Sequence, residues 1–125
     1  MIALLSMVAA LTFAAPSAHA TRLTIGERFE GKGMYIEGSR WHLRVDHRRL
    51  SLVDDYVRRP WTRTVEPGRY LIVSYQRPCD GNCSLLDPPT DRCRATVTVP
   101  SGRTLRVTIV NRFGPKCSIR TRVAD

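Results

Sequence analysis

Charge is missing from the first 21 residues, cysteine from the first 78, helical periodicity from everything beyond residue 20, and lysine from all but positions 32 and 116. The first absence leaves an uncharged apolar stretch from Ile2 to Ala15, followed by Pro16 and small residues ending in Ala18-His19-Ala20, the pattern a signal peptidase reads. It is shorter than the roughly 20 apolar residues a bilayer-spanning helix needs. No Lys or Arg precedes it, so its positive region is either reduced to the amino terminus or lies upstream. Residues 1–20 are therefore expected to be a cleaved signal helix, leaving a product with no transmembrane span that is secreted or held at the cell envelope. The lack of early cysteine excludes lipid attachment at the cleavage point. The remainder, 21–125, suffices for one domain.

Lysine scarcity accompanies an arginine excess that gives a net charge of +9. Guanidinium groups grip phosphate and carboxylate in a fork, so the excess can serve a polyanion. It can equally follow base composition, and the spread of arginines along the chain favours that reading. Arg48, Arg49, Arg58 and Arg59, with Trp61 and Arg63 beside them, come nearest to a basic patch, although Asp54 and Asp55 interrupt it. No nucleic-acid signature is present and specific nucleic-acid binding is not expected. The patch suits an anionic envelope polymer or lipid headgroups. Trp41 and Trp61 read as core or sheet-packing residues.

In place of helical periodicity the chain has the period of strands. Trp41, Leu43 and Val45 alternate with His42, Arg44 and Asp46, and the same rhythm returns in 71–75, 95–99 and 105–109. Glycine and proline separate these runs at 31–33, 37–39, 66–68 and 100–102. The pattern predicts an all-β fold, a single antiparallel β-sandwich of about seven or eight strands. Strands are expected at 22–29, 33–37, 41–46, 50–53, 61–65, 69–77, 93–99 and 104–111, with the last two forming the firmest hairpin. The segment 77–92 is expected to be an ordered irregular loop.

Cys79, Cys83, Cys93 and Cys117 form an even set in an exported chain, which points to disulfide staples. Cys79–Cys83 with Cys93–Cys117 is one pairing and Cys79–Cys93 with Cys83–Cys117 another. Loop entropy does not separate them, and geometry leans toward the local pair. A zinc site from His42, His47, Cys79 and Cys83 is disfavoured, because residues five apart on a strand face opposite ways. Asp80, Asn82, Asp87 and Asp91 offer oxygen atoms to calcium but lack the EF-hand pattern, and these are ordinary turn residues. No metal or cofactor is assigned. His42 and His47 are expected to be exposed. No nucleophile is arranged with a base, the cysteine count leaves no spare thiol, and enzyme activity is not expected.

The segment Val65-Glu66-Pro67-Gly68-Arg69-Tyr70-Leu71-Ile72-Val73 resembles the strand entry of prealbumin-like sandwiches such as carboxypeptidase regulatory-like domains. The stretch from Arg77-Pro78-Cys79 to Asp91-Arg92-Cys93 is similar to small secreted proteins of high-GC Gram-positive bacteria whose function is uncharacterised. The resemblance spans about 65–117 and implies a fold and an address, with no catalytic residues. The expectation is a non-enzymatic binding or structural module that uses the loop (Arg77, Asp80, Asn82, Asp87, Asp91) and the patch at Arg48, Arg49, Arg58 and Arg59. Its partner is an anionic envelope polymer or another secreted protein. The alternative is a secreted inhibitor of an extracellular hydrolase, and a small hydrolase comes third.

Overall fold

The structure, a computed structural model, describes residues 19–30, 38–79, 81, 83–112 and 117–124. Among these, eight strands form two four-stranded sheets: β1 (Arg22–Phe29), β2 (Gly38–His47), β3 (Leu50–Asp54), β4 (Trp61–Thr64), β5 (Gly68–Cys79), β6 (Thr90–Val99), β7 (Thr104–Asn111) and β8 (Cys117–Ala124). Sheet A runs β4-β1-β7-β8 and sheet B runs β3-β2-β5-β6. The all-β sandwich expected from the alternation is the fold observed. Leu23, Ile25, Leu105, Val107 and Ile109 of sheet A and Trp41, Leu43, Val45, Tyr70, Ile72, Val97 and Val99 of sheet B are buried in one core. Trp61 joins them, and the Trp41 Nε1–H donates to Ser74 Oγ at 2.9 Å, so the indole is buried without an orphaned donor.

The expected hairpin of residues 95–99 and 105–109 does not form, because β6 belongs to sheet B and β7 to sheet A. The connecting loop is tied instead to the start of β1: Gly102 N–H donates to Thr21 Oγ1 at 2.8 Å and Arg22 N–H to Arg103 O at 3.0 Å. The chain thus crosses the core, and β7 pairs with β1 in parallel, from Arg22 opposite Thr104 to Phe29 opposite Asn111. Alternation specifies which face is buried and says nothing about the neighbouring strand. The loop expected at 77–92 is shorter, since β5 runs on to Cys79 and β6 starts at Thr90. An eighth strand, Cys117–Ala124, lies where none was expected. The strand expected at 33–37 and nearly all of the leader lie outside the described residues.

Cys79 bonds Cys83 and Cys93 bonds Cys117, with Cα separations of 5.0 and 5.3 Å, so of the two pairings the local one is present. The second bridge joins β6 to β8 and so clasps the two sheets along one side. The opposite side, between β3 and β4, has no such tie and is spanned by the 55–60 connection. No helix among the described residues is long and apolar enough to cross a membrane.

Candidate functional site

At the cysteine-bearing end a hydrogen-bonded string closes the core. Ser39 Oγ donates to Gln76 Oε1 at 2.6 Å, the Gln76 amide donates to Glu27, and Asn111 Nδ2 donates to Glu27 Oε2 at 3.1 Å. The string runs from β2 and β5 in sheet B to β1 and β7 in sheet A. Burial raises the Glu27 carboxyl to about 7, against the lowering effect of the Asn111 and Gln76 bonds and with a further push from Asp91. Asp91 is itself buried, with φ of 51°, and accepts from Arg112 N–H at 3.2 Å and from the Thr90 hydroxyl. Asp91 thus braces the sandwich end.

The other loop candidates are placed as follows. Arg77 donates to the carbonyls of Asp87 at 3.0 Å and Leu86 at 3.1 Å, and Asp87 N–H donates to Pro78 O at 2.8 Å. Arg77 therefore braces the loop from within, while the Asp87 side chain is exposed. Asp80 and Asn82 lie outside the described residues. Among those described, no group of three or more His, Cys, Asp or Glu could hold a metal ion.

His42 and His47 are buried, contrary to the exposure expected of them. They lie on opposite faces of β2, and aromatic neighbours cover both. His42 stacks on Tyr75 at 4.8 Å and His47 on Tyr70 at 4.2 Å. A period-two pattern assigns His42 to the outer face and cannot see the ring that covers it there.

Of the arginine patch, Arg48 and Arg49 make the two-residue turn between β2 and β3, while Arg58 and Arg59 lie on the crossing from β3 to β4. Arg58 and Arg40 flank the Tyr56 ring at 4.9 and 4.7 Å. Arg63 lies over Trp61 at 5.0 Å and lines two adjoining recesses, one shared with Arg48 and Arg49 and the other with Arg58 and Arg59. The patch thus becomes a discontinuous strip along the open edge of the sandwich.

A further group of arginines is one that sequence reasoning missed. The outward face of sheet A carries Arg22 and Arg28 from β1, Arg106 from β7, and Arg120 and Arg122 from β8. Between them stand Thr24, Thr62, Thr64, Thr104 and Thr108. Glu30 is the acid at its border, and three arginines share it: Arg28 at 2.5 Å, Arg112 at 3.6 Å and Arg120 at 3.9 Å. Arg106 sits directly opposite Arg122 in the antiparallel pair, and neither meets an acid among the described residues. Like charges so placed cost about 0.2–1 kcal/mol. On sheet B, outward Arg44 pairs with Asp46 at 3.1 Å and Arg92 lies over Tyr75 at 5.6 Å, while Arg69 and Arg94 meet no acid among the described residues. The missed signal was the alternation Arg120-Thr121-Arg122 in the tail, which only the parallel pairing of β1 with β7 makes continuous with Arg22 and Arg28. No family model, curated protein or solved structure matches the chain.

Proposed function

We propose that this protein is a non-enzymatic module, exported and kept in the secretome or at the cell envelope, which holds an extended anionic polymer across the outward face of sheet A. The observation that supports the reading best is the apposition of Arg106 and Arg122 without an acid among the described residues, on a face whose other side chains are mostly arginine and threonine. Repulsion between guanidinium groups is relieved when phosphate or carboxylate bridges them, so ligand binding recovers what folding loses there. Threonine hydroxyls add hydrogen bonds to the same oxygens. Two disulfides fit an oxidising compartment, and the apolar leader supplies the route to it. Tyr70, in the strand entry that resembles prealbumin-like sandwiches, is a buried core residue, in keeping with such a scaffold.

Retention on immobilised inorganic polyphosphate across a salt gradient tests this. The chain is expected to be retained at 50 mM salt and released as salt screens the contacts. Replacing Arg106 and Arg122 by threonine is expected to weaken retention at least tenfold while leaving the fold intact. Undiminished retention in that variant counts against the face.

A second reading, inhibition of an extracellular hydrolase, rests on Leu85, which is 75% exposed in the β5–β6 connection, just beyond the Cys79–Cys83 bridge and beside the carbonyl of Leu86 that Arg77 holds. A pinned loop loses little entropy on entering a cleft. Absence of inhibition across a panel of secreted proteases at micromolar protein removes it.

A further inference from the structure

At the open edge, beneath the β2–β3 turn, lies a cavity of about 470 Å³ that the facing pair Arg106 and Arg122 does not line. Arg48, Arg49 and Arg63 stand around it, Leu50 and Leu52 form an apolar wall, and His47 lines it beneath the turn. Its volume falls within the range of small-ligand sites, about 300–1,000 Å³. The His47 side chain is only 9% exposed. Its Nδ1 lies 2.7 Å from the carbonyl oxygen of Arg69, so in the neutral ring Nδ1–H is the donor there and Nε2 carries the lone pair. Nε2 is buried and has no hydrogen-bond partner. The Glu66 carboxylate is 3.8 Å away, beyond hydrogen-bond reach, on a side chain that is 77% exposed. The position of Arg48 is also unusual. It opens a two-residue turn between the paired residues His47 and Leu50 with φ of 53°, a left-handed conformation that glycine adopts without strain and arginine does not. The turn thus holds a long cation where the backbone favours glycine or asparagine.

We infer that this cavity is a binding site for a phosphate monoester, with Arg48, Arg49 and Arg63 gripping the phosphoryl oxygens and His47 Nε2 sharing a proton with one of them. A guanidinium fork matches the tetrahedral oxygens. Phosphate monoesters lose their second proton near pH 6, so binding at neutral pH takes up one proton from solution, and the ester's P–OH donates to the Nε2 lone pair. Sulfate has no such proton and meets only the arginines and, when the ring is neutral, a lone pair facing it. The apolar wall of Leu50 and Leu52 accommodates the carbon portion of the ester. The site borrows Arg63 and Thr64 from β4, the edge strand of sheet A, but none of Arg22, Arg106, Arg120 or Arg122 lines it.

Calorimetric titration of the full chain with glycerol 1-phosphate, inorganic phosphate and sulfate tests the inference, with flotation on vesicles containing phosphatidic acid to distinguish a lipid source from a free one. Saturable one-to-one binding of glycerol 1-phosphate is expected, with sulfate at least tenfold weaker. Preference for the vesicles over the free ester identifies a lipid headgroup as the source, and the reverse a soluble ester; either supports the site. Arg48→Gly is the decisive variant, because it removes a guanidinium and relieves the turn together. It is expected to lower phosphate affinity at least tenfold while thermal stability holds or rises. Arg49→Gln is expected to weaken binding too, and Arg106→Thr with Arg122→Thr to leave it unchanged. No saturable binding, equal affinity for sulfate, or full affinity in Arg48→Gly overturns the inference. Loss of affinity in the sheet A variant alone assigns phosphate to that face and overturns it as well.

Discussion

Single residues set both the stability of this sandwich and its pH dependence. Glu27 is the clearest case, since burial raises its carboxyl from 4.5 to about 7 in the folded state. Between those values the unfolded chain has lost the proton while the folded chain keeps it, so stability falls as pH rises from about 4.5 to 7. Glu27→Gln keeps the contacts of the protonated acid and removes that loss. The variant is expected to gain roughly 1–2 kcal/mol over the parent at pH 8, discounted for the part of the carboxyl that water reaches, and little at pH 4. Denaturant midpoints at the two pH values check the difference; an equal shift at both contradicts the assignment. Gly68 is a second such position, because φ of 138° excludes side chains and a Cβ there meets His47 Cε1 at 3.1 Å. Gly68→Ala is expected to cost on the order of 2 kcal/mol, read as a lowered thermal midpoint.

At the scale of elements, the bridge between β6 and β8 closes a long loop, and its chain-entropy contribution is about 3.5 kcal/mol, against about 2 kcal/mol for Cys79–Cys83. Replacing Cys93 and Cys117 by alanine is therefore expected to destabilise the fold more than replacing the local pair. Thermal melts of the two double variants give the order, and the reverse order contradicts the role of the clasp. Strand β8, which that clasp holds, is also the element the sequence hid. Its run Ser118-Ile119-Arg120-Thr121-Arg122-Val123 alternates, but its inward positions are only partly covered and the apolar signal is weak. Strands with strongly buried alternate positions, such as Leu105, Val107 and Ile109, were legible because burial itself writes the period. Pairing was not legible: β6 and β7 look like a hairpin until the hydrogen bonds from Gly102 and Arg22 direct the chain into the other sheet. The arginine face depends on both facts, so it could not be read from neighbours in the chain, whereas Arg48 and Arg49 could.

At the scale of the whole molecule, the net charge of +9 is not spread evenly in effect. Sheet B partners outward Arg44 with Asp46, Arg92 with the Tyr75 ring and Arg40 with the Tyr56 ring, but leaves Arg69 and Arg94 without an acid, while sheet A leaves Arg22, Arg106 and Arg122 without one among the described residues. What distinguishes sheet A is the facing pair Arg106 and Arg122, since the facing pair of sheet B, Arg40 and Arg77, is met by the Tyr56 ring and by loop carbonyls, and association with a polyanion is expected to orient the molecule sheet A inward. Backbone amide shifts followed by NMR during titration with polyphosphate test that orientation most directly. Perturbations centred on Arg22, Arg106, Arg120 and Arg122 and fading as salt rises are the expected result. Shifts centred on the outward residues of β2 and β5, or none at low salt, would contradict it.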